Sequence, residues 1–132
     1  MPLSHEAALR MVNASQSKAG ELGIAVSTAI YDAEGRLYAF SRMDGARWVS
    51  VEVSQAKAYT GALLGRDGAD LQKMDPNMLA ALATVQGRGL FATNGVTVLR
   101  DGDKVIAGLG CSGGSEEQDL QCAQAARDAF AS

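Results

Sequence analysis

The 132-residue sequence holds one histidine, one tryptophan, two cysteines and two prolines, and aromatic residues make up only 5% of it. Two thiols, Cys111 and Cys122, are too few for a disulfide scaffold or a cysteine-rich zinc site. They suit reduced thiols in a cytoplasmic protein. The single histidine, His5, cannot build a metal site alone, so no metal site is expected. No stretch reaches the ~18–20 apolar residues that a membrane helix needs. The opening residues lack a basic segment followed by a long apolar one, so no signal peptide is expected. Twelve Lys and Arg stand against fifteen Asp and Glu, a net charge of −3. That leaves no basic stripe for displacing counterions from nucleic acid.

What is present suits one folded domain over residues 1–132. Hydrophobic residues make up 47% and charged residues 20%, enough for a packed, alanine-rich core. Ser4 is placed to cap a helix over residues 4–22, with Ala8, Met11, Val12, Ser15, Ala19 and Leu22 on one face. A strand over 24–31 is apolar on both faces, which points to a central position in a sheet. A turn at 32–35 joins it to a second strand over 36–43. A second helix is expected over 49–64, ending at Gly65, with Val49, Val53, Ala56, Thr60, Leu63 and Leu64 inward. Pro76 suits the first turn of a short helix over 76–85. Strands are expected again at 90–91, 96–100 and 104–110, with Asp101-Gly102 as a hairpin turn. Ser115 and Gln118 form a capping-box pair at the start of the last helix, whose buried face holds Cys122, Ala123, Ala126, Ala129 and Phe130. Strands in hairpins rather than alternating with helices predict an α+β domain with an antiparallel sheet.

Four places carry candidate chemistry. The glycine-rich run from Gly108 to Ser115 sits between a strand and a helix start. Its backbone N–H groups can cradle an anion, but Glu116, Glu117 and Asp119 follow and equally suit a structural turn stabilised by the helix dipole. Cys111 is either a nucleophile activated near that helix start or a small buried residue. Lys57 lies on an apolar helical stripe. It either snorkels outward or enters a pocket and pairs with Asp44, Glu52 or a ligand's carboxylate. Arg42 either pairs locally near Asp44 or forms a pocket rim aimed at a carboxylate. Arg47 and Trp48 are suited to stack on a flat ligand or fill a subunit interface.

Three ordered segments resemble one family. Residues 30–46 (IYDAEGRLYAFSRMDGA), 50–60 (SVEVSQAKAYT) and 108–119 (GLGCSGGSEEQD) are similar to characteristic stretches of the GlcG/HbpS family, also called haem-degrading, which includes the C-terminal domain of PduO-type proteins. The resemblance implies a profilin-like α+β fold with a five-stranded antiparallel sheet flanked by helices. It also implies a homo-oligomer, tetramer or octamer, and in some members a haem or corrinoid-related ligand. A Ser-His pair and a "PGGLP" loop common in the family are replaced here by Thr84-Val85-Gln86 and Ala92-Thr93-Asn94-Gly95-Val96. No clear histidine axial ligand to haem iron remains. Cys111, Tyr59 and Met43 are the alternative donor types.

Three functions follow as expectations. The first is a binding protein for a small molecule or tetrapyrrole, with haem as the candidate cofactor. Its ligand-binding set is Arg42, Asp44, Glu52, Thr60, Ser112, Gly113 and Gly114. The second is a cofactor-free catabolic enzyme, an isomerase, lyase or hydrolase acting on a small carboxylate or hydroxy/oxo acid. There Arg42 anchors the substrate, and Lys57 or Cys111 is the catalytic group. The third is a non-catalytic oligomeric accessory protein, with Trp48 at subunit contacts.

Overall fold

A computed structural model describes residues 2–131. The elements are α1 (His5–Glu21), β1 (Ser27–Asp32), β2 (Leu37–Arg42), α2 (Val49–Leu64), α3 (Gly68–Leu71), α4 (Pro76–Gln86), β3 (Val96–Asp101), β4 (Lys104–Ser112) and α5 (Glu116–Asp128). The caps explain several boundaries. The Ser4 side chain accepts from the Ala7 amide. Asp75 accepts from Asn77 just ahead of Pro76 in the first turn of α4. Ser115 and Gln118 complete a reciprocal capping box on α5. Gly65 ends α2 in the left-handed conformation that a side chain would disfavour.

The four strands form one antiparallel sheet in the order β2-β1-β4-β3. β1 is central, as its two apolar faces predict. The sheet has four strands rather than five. Leu90 and Phe91 lie in a loop, and the Phe91 amide donates to the Thr60 hydroxyl at 2.9 Å instead of joining a ladder. The β3–β4 turn is Gly102-Asp103, because Asp101 pairs with Lys104 as the last rung.

Alternation along the strands sets the layers. Ile30, Leu99, Ala107 and Leu109 pack with Ala8, Met11 and Val12 of α1 and with Ala126 of α5 and Phe130 just beyond it. On the other face, Ala29 and Tyr31 pack against Ala58 and Ala62 of α2.

The buried face of α2 differs from the apolar stripe expected. Val49 and Leu63 are exposed, while Ser50, Ser54, Lys57, Ala58, Thr60, Gly61 and Ala62 are buried. Glycines in β4 explain the inversion. A Cβ at Gly108 would collide with the Ala58 carbonyl, and one at Gly110 with the Ser54 carbonyl. The helix backbone therefore lies directly on β4, and only its small-residue face fits that approach.

Candidate functional site

The close seat of α2 on the sheet carries Lys57 into the interior. Its Nζ donates to the Cys111 carbonyl at 2.8 Å and to Asp119 Oδ2 at 3.1 Å. Asp119 Oδ1 accepts from the Gly114 amide at 2.8 Å. One ion pair thus ties α2, the end of β4, the Gly113-Gly114 turn and α5 together. Both side chains are about 5% exposed (5% and 6%). Burial holds the Asp119 carboxyl above its ordinary range, and the Lys57 charge and Gly114 amide oppose that rise.

Within the chain the partner of Lys57 is therefore Asp119, not Asp44 or Glu52. In the sequence Asp119 stands with Glu116 and Glu117 as one of three acids at the helix start. Its spacing to Cys122, Ala123 and Ala126 places it on the buried face of α5, and that was the available signal.

Cys111 is also internal. Its thiol lies 3.1 Å from the Ser15 hydroxyl and 3.7 Å from that of Thr28, and those two hydroxyls are 2.7 Å apart. Of the two alternatives for Cys111, the small buried residue is the one found, and burial pushes its thiol up rather than down. The geometry gives the reason, because Cys111 is within β4 and faces the α1–α5 layer. Cys122 shares that core cluster. Burial first, then the nearby Cys111 and Asp119, push its thiol up to about 12.

The other predicted residues separate. Arg42 closes its own turn, with Nε and Nη2 donating to the Ala46 carbonyl at 3.1 and 2.8 Å. Asp44 is exposed and forms no ion pair with Arg42. Thr60 is buried; it donates to the Ala56 carbonyl at 2.7 Å and accepts from Phe91. Trp48 is 75% exposed.

Two grooves flank the first half of α2. One, of about 340 Å³, lies between Arg47, Val49 and Ser50 on one side and Ser112, Gly113 and Gly114 on the other. The second, of about 350 Å³, has Glu52, Gln55 and Arg88 as its polar lining and Val53, Ala56 and Phe91 as its apolar wall. Of the residues expected to bind ligand, Ser112, Gly113 and Gly114 line the first groove and Glu52 the second, while Arg88 was not among those expected. The available signal was an arginine set between Gly87 and Gly89, just past a helix end.

The side chains offered for haem iron do not converge on these grooves. His5 is exposed at the start of α1. The Cys111 thiol is in the core. Met43 Sδ accepts from the Val26 amide at 3.3 Å, and the Tyr59 hydroxyl donates to Gln86. Neither groove is lined by His, Cys, Met or Tyr. Among the described residues, no group of three or more His, Cys, Asp or Glu is placed to hold a metal ion. No described helix is long and apolar enough to cross a membrane. The residues of this chain therefore do not fit axial ligation of haem iron at either groove.

An antiparallel four-stranded sheet with α1 and α5 on one face and α2 close against the other defines an α+β class with known members. The chain belongs to the family described as haem degrading protein HbpS-like, which it matches over residues 3–128. A Citrobacter freundii protein, described as an uncharacterized 15.0 kDa protein in the dhaT-dhaS intergenic region, is 34% identical over 128 residues. That match spans 94% of this chain and 89% of the relative. The crystal structure of Klebsiella pneumoniae ORFY superimposes with a TM-score of 0.89 at 28% identity, covering 98% of this chain and 91% of that one. The crystal structure of a PduOC:haem complex does so with a TM-score of 0.88 at 30% identity, covering 98% and 95%.

Proposed function

We propose that this chain is a small-ligand-binding protein of the HbpS type. It takes a flat, acidic, tetrapyrrole-like ligand along α2 without supplying an iron ligand from its own grooves. The observation that carries this reading is the fate of the reactive side chains. Lys57 is bound to Asp119 and the Cys111 carbonyl inside the core, and the Cys111 thiol faces Ser15. The alternative, a cofactor-free isomerase, lyase or hydrolase, needs one of them free beside a substrate. Along α2 lie two grooves, one polar with Arg47 on its edge and one with an apolar wall beside Arg88, and together they suit an apolar ring system carrying acid groups. A relative of similar fold was crystallised with haem, which supports a tetrapyrrole as the ligand class. The test is a parallel titration with haemin and iron-free protoporphyrin IX. Saturation by both at a fixed ratio supports the reading, and saturation by neither removes it.

The same reading includes a cytoplasmic homo-oligomer, tetramer or octamer. Helix α4 contains no charged residue and buries none of its side chains, and Met78 and Val85 are 55% and 78% exposed. A second copy covering α4 accounts for that composition. Mass measurement by light scattering tests it.

A further inference from the structure

We infer that Arg88 is the anchor of a carboxylate subsite in the second groove, and that the subsite takes a monocarboxylate with an apolar ring body. This rests on reading the α2 grooves as ligand sites, but not on the ligand being a tetrapyrrole.

The Arg88 guanidinium carbon stands 4.0 Å from the centroid of the Tyr59 ring and 5.3 Å from that of Tyr31. Nη2 donates to the Tyr31 hydroxyl at 3.2 Å. That hydroxyl donates its own proton onward to Gln55 Oε1, also at 3.2 Å. The chain of donors has one direction. Tyr31 gives its proton to Gln55 and so presents only its oxygen to Arg88. The two rings meet edge to face, 6.1 Å apart. Two π-faces and one neutral oxygen therefore hold the cation, and Arg88 pairs with no carboxylate among the described residues.

A guanidinium has five N–H donors in a planar fork, and this arrangement uses one of them. Held half-buried against aromatic rings, it has lost part of its hydration without gaining a counter-charge. A carboxylate supplies that charge with matching bidentate geometry. Beside it in the groove lie Val53, Ala56 and Phe91, an apolar wall for the rest of the ligand. The wall is fixed. The Phe91 amide is held by the Thr60 hydroxyl, and Thr60 is held by the Ala56 carbonyl. Thr60 thus acts on the groove as a positioning residue rather than by touching a ligand. Glu52 on the groove's lining disfavours a dianion such as phosphate. A single carboxylate at Arg88 meets less of that repulsion.

The probe is 2-naphthoate, with neutral 2-naphthylmethanol as its control. Binding is followed by calorimetry and by amide shifts in 15N-labelled protein. The expected result is saturable naphthoate binding that shifts the Gly89 and Phe91 amides, with the alcohol about tenfold weaker or worse. Arg88→Gln lowers naphthoate affinity by about tenfold or more and leaves alcohol binding unchanged, and Arg88→Lys keeps part of the loss back. Glu52→Gln leaves the Arg88–tyrosine stack untouched and tightens naphthoate binding. It decides the matter if Arg88→Gln fails to fold. Equal binding of acid and alcohol, naphthoate binding indifferent to Arg88→Gln, or no tightening in Glu52→Gln overturns the assignment. Iron-free protoporphyrin is titrated alongside. Porphyrin binding with no naphthoate binding overturns this subsite and leaves the tetrapyrrole reading standing. Naphthoate binding with no porphyrin binding supports the subsite and removes the tetrapyrrole.

Discussion

Lys57 and Asp119, sixty-two positions apart in the chain, meet at 3.1 Å in a place that solvent hardly reaches. The pair closes the space beside Gly95, where a Cβ would press on the Lys57 amine and the Cys111 carbonyl. A buried pair of this kind offsets its own desolvation through geometry and extra hydrogen bonds. Here those bonds come from the Cys111 carbonyl and the Gly114 amide.

Removing one partner leaves the other charge buried and alone. Lys57→Met and Asp119→Asn are each expected to lower unfolding stability by about 3–5 kcal/mol. The double variant Lys57→Met/Asp119→Asn is expected to lose less than the sum of the two. Urea unfolding of the four proteins as a double-mutant cycle checks this. Additive losses would mean that the two residues act independently.

The thiols supply a pH prediction. Both are raised above the ordinary value of 9.0. Their contribution to stability is complete below that value, where both states keep the proton. It falls as pH rises, because unfolded thiols ionise while the folded ones resist. Urea midpoints are therefore expected to drop between about pH 8 and pH 10, and less steeply in Cys122→Ala. At about pH 8 a thiol-specific disulfide reagent is expected to leave the native protein unmodified and to label both cysteines in urea. Rapid native labelling of Cys111 would restore the nucleophile reading.

The contact between α2 and β4 predicts a third result. Gly110→Ala places a methyl against the Ser54 carbonyl and the Ala58 amide. Because this is backbone, the helix must lift. The expected cost is at least about 1–3 kcal/mol, and lifting α2 also alters both grooves. Gly102→Ala tests a different effect, since nothing stands near its Cβ. Its cost comes only from the positive φ of 62° and is expected to be smaller.

Assembly through α4 predicts that Met78→Glu/Val85→Glu lowers the mass in solution while leaving far-ultraviolet circular dichroism unchanged. A wild-type monomer, or an unaltered oligomer in the variant, contradicts a role for α4 in assembly.

Much of the fold was legible because caps and turns are local. Ser4, Gly65, Pro76 and the Ser115–Gln118 box set helix ends where neighbouring residues alone decide them. The inward face of α2 was not legible from its own sequence. Hydropathy favoured Val49, Val53 and Leu63. The face that packs was chosen by Gly108 and Gly110, about fifty positions downstream, which admit only small residues. The same close seat carried Lys57 inward and turned a candidate base into part of the core. The fifth strand failed for a similar reason, because a hydroxyl on α2 took the Phe91 amide that a ladder would have used. Arg88 escaped notice because its surroundings, Tyr31 and Tyr59, come from a strand and a helix far away in sequence.

The central claim is that ligand is held along α2 by apolar and arginine contacts rather than by an iron ligand from this chain. The most direct measurement compares haemin with iron-free protoporphyrin IX, recording dissociation constants and the absorption spectrum of the bound haemin. Saturation by both is expected, with affinities within about tenfold of each other and a spectrum unchanged in Cys111→Ala and Met43→Leu. Saturable haemin binding that is lost in either variant, with no binding of the iron-free porphyrin, would contradict it.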